Sequence, residues 1–206
     1  SVAGNRGEKV ERRPQGLGSG VIMNQRGHVL TNYHVIADAD QIIVALQDGR
    51  VFSAELVGTD KLTDLAVLYI ESDNLPVIPQ DPERLPDVGD VVLAIGNPYN
   101  VGQTTTQGII SATGRIGLSS MGPVSNGRQD LLQTDAAINE GNSCGALVNG
   151  RGDLVGINTA AYHLNGNQES YGISFAIPYK LAKRIMDELI ANGRVIRGYL
   201  GISSVE

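Results

Sequence analysis

The chain has 206 residues, of which 41% are hydrophobic and 18% are charged, and its net charge is −6. This balance is typical of a globular protein and excludes a largely disordered chain. The acidic excess argues against nucleic-acid binding, because nucleic-acid-binding proteins usually carry a basic surface. The densest basic cluster, at residues 9–13, is interleaved with glutamates and is interpreted as part of a solvated N-terminal arm over residues 1–16.

The first half of the chain consists of short β-rich runs separated by turn residues. Asp48-Gly49 lies between two such runs and indicates a hairpin. The run at 65–70 is continuously apolar, as in a fully buried strand. The pattern predicts strands at 21–23, 28–32, 41–46, 51–57 and 65–70.

The second half repeats the pattern after a proline-rich connection at 76–86, which we interpret as the junction between two halves. Residues 114–129 are rich in glycine, serine and asparagine and predict a mobile loop. The pattern predicts further strands at 88–95, 104–112, 131–134, 146–149, 154–159 and 172–177.

One helix is predicted at 178–192. Pro178 suits the first helical position and Gly193 suits the position just after the end. Leu181, Ile185 and Leu189 fall four apart and form an apolar face. The predicted fold is therefore all-β, with two small antiparallel barrels, a C-terminal helix that packs on them, and a cleft between the barrels where a site can form.

A candidate nucleophile, Ser143, lies in the segment Gly141-Asn142-Ser143-Cys144-Gly145. A serine hydroxyl is a weak nucleophile, so it needs a base, a group that orients the base, and donors for the oxyanion. Glycine lets the backbone turn, so we expect the N–H groups of Gly141 and Ser143 to form the oxyanion hole. The motif alone is weak, because a serine between glycines is more often part of an ordinary turn.

The base and its orienting group are predicted upstream. His34 follows the strand predicted at 28–32, and Asp64 comes directly before the buried run at 65–70. The order His, Asp, Ser is that of chymotrypsin-type enzymes and differs from the order in subtilisins and α/β-hydrolases. We therefore predict a catalytic triad, with His34 and Asp64 from the first barrel and Ser143 from the second. This chemistry requires no metal or cofactor, and we expect none.

The predicted substrate pocket is neutral. In trypsin-like enzymes that cut after Arg or Lys, the residue six positions before the nucleophile is acidic, whereas here it is Ala137. Ile138 and Ala160 are expected to line the pocket wall. We predict cleavage after a small or medium apolar residue.

Five segments together resemble the HtrA family of serine proteases, and the resemblance extends over nearly the whole chain. They are TNYHV (31–35), DKLTDLAV (60–67), GDVVLAIGNP (89–98), QTDA (133–136) and GISFAIP (172–178). Within the family, the stretch 42–57 and the short segment before Gly18 are most similar to the stress-sensing subtype. The resemblance implies a trypsin-like fold and supports a serine endopeptidase.

The resemblance also implies a setting for the protein. Members of this subtype are periplasmic homotrimers, held by an N-terminal inner-membrane anchor, and they cut a membrane anti-sigma factor. A protease domain over 17–198 would be followed by a PDZ domain, whose beginning corresponds to 199–206. Because the chain begins at Ser1 rather than Met, we expect it to be a cut-down form. Regulatory loops that order on activation correspond to 115–130, which begins at Arg115, and to 160–171.

One residue departs from the family pattern, which has glycine directly after the nucleophile. Here that residue is Cys144. A side chain at this position either weakens the enzyme or is tolerated, or else the thiol acts as a redox handle or as the nucleophile itself. Two alternative functions therefore stay open. One is a latent or weakened domain that senses peptides without cutting them, and the other is a general envelope quality-control protease.

Overall fold

The computed structural model describes residues 18–97, 102–116, 130–139, 141–160 and 172–197. The first half forms a five-stranded antiparallel sheet in the order β1-β2-β5-β4-β3. A one-turn helix, α1 (Tyr33–Ile36), directly follows β2. The strands are β1 (Gly20–Ile22), β2 (His28–Asn32), β3 (Ile42–Ala45), β4 (Val51–Asp60) and β5 (Leu65–Tyr69).

The second half forms a closed antiparallel barrel in the order β10-β11-β8-β7-β6-β9, followed by the long helix α2 (Tyr179–Asn192). Within the described residues no helix has the length and apolar character needed to cross a membrane. The barrel strands are β6 (Val91–Gly96), β7 (Thr104–Ile116), β8 (Asp130–Thr134), β9 (Ala146–Asn149), β10 (Leu154–Thr159) and β11 (Ser174–Pro178).

A shared core joins the two halves. Leu30 and Leu65 of the first sheet, Leu131 and Ile157 of the barrel, and Leu189 of α2 belong to one cluster of buried side chains, and all five are fully buried. Each such side chain contributes about 1.5–3 kcal/mol when it leaves water. Because β2 and β5 pack into this core, their ends are held close to the turn that precedes β9.

Most predicted strands are confirmed, and the differences lie at their ends. β4 continues to Asp60, beyond the predicted end at 57. β6 begins at Val91 rather than 88, because Gly89 adopts a φ of +93° in a turn. Pro178 precedes α2 as its N-cap, with a ψ of 144°, instead of being its first helical residue. Gly193 ends the helix as predicted, with a φ of +70°.

The beginning of the predicted regulatory loop is strand. β7 extends to Ile116, and Arg115 lies opposite Leu131 of β8. Two register shifts and a φ of +67° at Gly114 let β7 bend while it stays paired with β8. The composition of residues 114–129, which is typical of a loop, did not indicate this extension of the strand. The rest of that loop (117–129), most of the second loop (161–171), the arm (1–16) and residues 199–206 lie outside the described residues.

Candidate active site

His34 and Asp64 form a hydrogen-bonded pair. His34 lies in α1, directly after β2, and its ring Nδ1 is 2.6 Å from Asp64 Oδ2. The backbone N–H of His34 donates to the other carboxylate oxygen, Oδ1, at 2.9 Å. Because an ionised carboxylate can only accept, the ring proton lies on Nδ1 and leaves Nε2 as a proton acceptor. The His34 side chain is 58% exposed, so a substrate can reach it.

Asp64 is held in an unusual backbone conformation. Its φ is +56°, in the left-handed region that residues with a Cβ rarely adopt. Its carbonyl accepts hydrogen bonds from the backbone N–H of Tyr33 at 2.9 Å and from Asn32 Nδ2 at 3.3 Å. Strained residues of this kind persist where the surroundings over-determine them, and they cluster at functional sites.

Ser143 comes from the barrel half and meets the pair through an asparagine. The serine is 3% exposed; its hydroxyl donates to Asn32 Oδ1 at 3.1 Å and accepts from the Ala160 N–H at 3.1 Å. Asn32 Nδ2 in turn donates to Asp64 Oδ2 at 3.1 Å. Asn32 therefore connects Ser143 to Asp64, which in turn bonds His34. The TNYHV segment contains this asparagine, but its sequence pattern indicates no role for it.

The two predicted oxyanion donors are already engaged within the chain. The Gly141 N–H donates to Asn139 Oδ1 at 2.9 Å, and the Ser143 N–H donates to the Asn139 carbonyl at 2.9 Å. Ser19 donates its hydroxyl proton to the Gly141 carbonyl at 3.3 Å. An oxyanion would have to displace Asn139 from both donors, so this is a resting geometry of the segment.

Cys144 occupies a backbone position suited to glycine. Its φ is +57°, and its N–H donates to the Asn158 carbonyl at 2.8 Å. Burial raises the pKa of the Cys144 thiol well above its usual value, and the charge of Asp64 acts in the same direction. Because the thiolate is the reactive form, this environment disfavours the interpretations of Cys144 as nucleophile or redox handle.

The predicted pocket residues lie beside the turn that carries Ser143. Ala137 is exposed, and its carbonyl accepts from Asn142 Nδ2 at 2.9 Å. Ile138 is half-buried against the barrel core, and Ala160 contacts the Ser143 hydroxyl through its backbone N–H. Cleavage after a small or medium apolar residue therefore stays a prediction.

Comparisons with known proteins show the family to which the chain belongs. A family model described as "Trypsin-like peptidase domain" matches residues 18–157. The serine endoprotease DegS of Escherichia coli K12 is 65% identical over 192 residues, which are 92% of this chain and 53% of that protein. The periplasmic pH-dependent serine endoprotease DegQ of the same organism is 47% identical over 195 residues, covering 93% and 41%. The crystal structure of a serine endoprotease from Yersinia pestis matches with a TM-score of 0.77 at 57% identity, covering 95% of this chain and 65% of that one.

These matches confirm the predicted fold and the resemblance to HtrA proteases. The chain spans about half the length of the curated DegS relative, so the matches describe this domain rather than the relatives' whole proteins. The described residues contain two β-barrel-like halves and a C-terminal helix, as predicted. The chain belongs to the trypsin-like peptidase family, in which it is a DegS-like protease domain of the HtrA type.

Proposed function

We propose that the chain is a serine endopeptidase in which Ser143 is the nucleophile, His34 the general base and Asp64 the group that orients the base. The proposal is carried by the 2.6 Å contact between His34 Nδ1 and Asp64 Oδ2. Ser143 is connected to this pair through the side-chain amide of Asn32. This contact fixes the tautomer in which Nε2 can take a proton.

Each step of the reaction has a group that performs it. Ser143 Oγ attacks the peptide carbonyl and its proton passes to His34 Nε2, which then gives it to the leaving amine. Water hydrolyses the resulting acyl-enzyme by the same route in reverse. Asp64 stabilises the imidazolium throughout. The N–H groups of Gly141 and Ser143 stabilise the oxyanion, and one such donor is worth about 3–4 kcal/mol of barrier.

Catalysis requires a local rearrangement from the resting geometry. The hydroxyl proton of Ser143 points to Asn32 and must turn towards His34. The two oxyanion donors must also leave Asn139. We propose that activation consists of these two changes around an otherwise preformed His34–Asp64 pair.

The setting is proposed from the relatives. The DegQ relative is named as periplasmic, and the names of the DegS and DegQ relatives call them serine endoproteases. We propose a periplasmic location, a homotrimeric parent protein anchored in the inner membrane, and a protein substrate such as a membrane anti-sigma factor. The arm at 1–16 would make trimer contacts, and 199–206 would begin a PDZ domain. Regulation through Arg115 is proposed as well.

The first test is covalent labelling. Treatment with a fluorophosphonate followed by intact-mass measurement is expected to give one adduct on this chain and none on Ser143→Ala. Cleavage of a peptide library is expected to occur after small or medium apolar residues, as the neutral Ala137 suggests. Preferential cleavage after Arg or Lys would contradict the proposed pocket. If the chain fails to react with fluorophosphonate and binds a peptide without cutting it, the non-catalytic sensor would be favoured. The endoprotease relatives do not favour that alternative.

A further inference from the structure

A buried carboxylate outside the triad is bound by an arginine from the far end of the domain. Asp60, the last residue of β4, accepts two parallel hydrogen bonds from Arg197, Nη1 to Oδ1 and Nη2 to Oδ2, both at 2.7 Å. Thr63 Oγ1 donates to Asp60 Oδ2 at 2.6 Å. The Asp60 side chain is only 5% exposed. Burial raises the pKa of Asp60, but the hydrogen bonds from Arg197 and Thr63 outweigh it and hold the pKa below its usual value.

This carboxylate lies inside the turn that presents the triad aspartate. Asp60 pairs with Leu65 across the turn between β4 and β5, and the Asp64 N–H donates to the Lys61 carbonyl at 3.3 Å. Asp64 itself has the left-handed backbone described above, which persists only while its surroundings hold it. Because Thr63 is tied to Asp60, a shift of Asp60 moves the residue next to Asp64.

The segment that carries the arginine is itself anchored on β4. Gly193, at the end of α2, packs directly on Gly58, where an added Cβ would lie 2.8 Å from the Gly193 carbonyl oxygen. The Ile196 N–H then donates to Glu188 Oε2 at 3.2 Å. The segment that carries the Arg197 guanidinium is therefore held in place against β4. A bidentate pair fixes the relative orientation of its two groups, so Arg197 determines the orientation of the Asp60 carboxylate.

We propose that Arg197 is a positioning residue, which acts through Asp60 and Thr63 to hold Asp64 in the geometry that orients His34. The inference rests on the proposed triad. It adds that the chain following α2 is mechanically connected to the acid of the triad, by a route separate from the oxyanion segment. Movement of that segment would change the orientation of the base while leaving the substrate pocket in place.

The test compares three variants with a matched control in this chain. Arg197→Ala removes the pair, Arg197→Lys keeps the charge without the planar fork, and Thr63→Val removes the hydroxyl while conserving shape. Arg194→Ala is the control, because Arg194 is an exposed arginine on the same segment. The readouts are the fluorophosphonate labelling rate, kcat and KM for a peptide, and the pKa of the His34 ring from an NMR titration.

Arg197→Ala is expected to lower the labelling rate and kcat by about 10- to 100-fold, the effect of a small misplacement of a catalytic group, with KM nearly unchanged. The pKa of His34 is expected to fall, because a displaced Asp64 stabilises the imidazolium less. The labelling rate, the kcat and the pKa of His34 in Arg197→Lys and Thr63→Val should lie between those of Arg197→Ala and those of the unaltered chain. In Arg194→Ala these values should equal those of the unaltered chain.

A folded Arg197→Ala protein with an unchanged labelling rate and an unchanged His34 pKa would overturn the inference. If Arg197→Ala does not fold, unchanged values in Arg197→Lys and Thr63→Val would overturn it equally. Failure of the proposed function is a different result, since the unaltered chain would then show no Ser143-dependent labelling. The NMR titration of His34 needs no catalysis, so it still decides whether Arg197 positions the pair.

Discussion

Position 144 offers a quantitative test of backbone strain directly after Ser143, the proposed nucleophile. Cys144→Ala and Cys144→Gly both remove a fully buried sulfur, and each loses about 1 kcal/mol of the stability that its burial contributes. Alanine keeps a Cβ at a φ of +57°, a conformation that disfavours a residue with a Cβ by about 1–2 kcal/mol. Glycine relieves this strain, although its freer unfolded chain offsets about 0.4–1 kcal/mol of the gain.

The difference between these two effects predicts that Cys144→Gly is more stable than Cys144→Ala by up to about 1.6 kcal/mol, the reverse of the usual order. Urea denaturation of both variants measures the difference. Ala146→Gly, in the adjacent strand β9, is the control, and there glycine should be the less stable residue by about 0.5–1 kcal/mol. An alanine variant at 144 at least as stable as the glycine variant would refute the strain. Both variants at 144 should still be labelled by fluorophosphonate. Loss of labelling in both, together with retained labelling in Ser143→Ala, would identify the thiol as the nucleophile.

Three further predictions concern the site and its support. Asn32→Asp places a buried carboxyl against the carboxyl of Asp64, and burial together with the like charge raises the pKa of the new carboxyl. The variant should lose about 3–5 kcal/mol of stability at pH 8, where the new group is charged, and regain part of it at pH 5. Denaturation at the two pH values measures the difference. Asn139→Ala removes the acceptor that occupies the N–H of Gly141, one of the two proposed oxyanion donors. It should raise the labelling rate by about fivefold, since a hydrogen bond contributes about 1 kcal/mol, and an unchanged or lower rate would contradict the resting geometry. Gly145→Ala should prevent correct folding, because its Cβ would lie 1.7 Å from a backbone carbonyl oxygen of β6, whereas Gly150→Ala, with open space around it, should fold normally by circular dichroism.

The strands could be predicted because local patterns determine them. Flanking turn residues, a continuous apolar run and an Asp-Gly turn were sufficient for β2, β5 and the β3–β4 hairpin, respectively. The helix α1 was missed because it has only four residues, too few for a helical period. The extent of β7 was missed because pairing with β8 outweighed a composition typical of a loop.

The predicted site residues could be located from chain order and neighbouring motifs, but their partners could not. Asn32 and Ser143 are 111 positions apart, and Asp60 and Arg197 are 137 apart. No local pattern predicts a contact over such a separation. The occupation of the proposed oxyanion donors by Asn139 depends on backbone rotations within a turn, which residue types alone leave undetermined.

The resting contacts of Ser143, Gly141 and their neighbours come largely from the neutral amide groups of Asn32 and Asn139. Neutral contacts of this kind are not screened by salt. A change of ionic strength should therefore leave the resting state largely in place. A bound peptide or a shifted loop can still exchange one amide partner for another. The segment that carries the proposed nucleophile is thus suited to respond to direct contact with a peptide or loop rather than to the ionic composition of its surroundings.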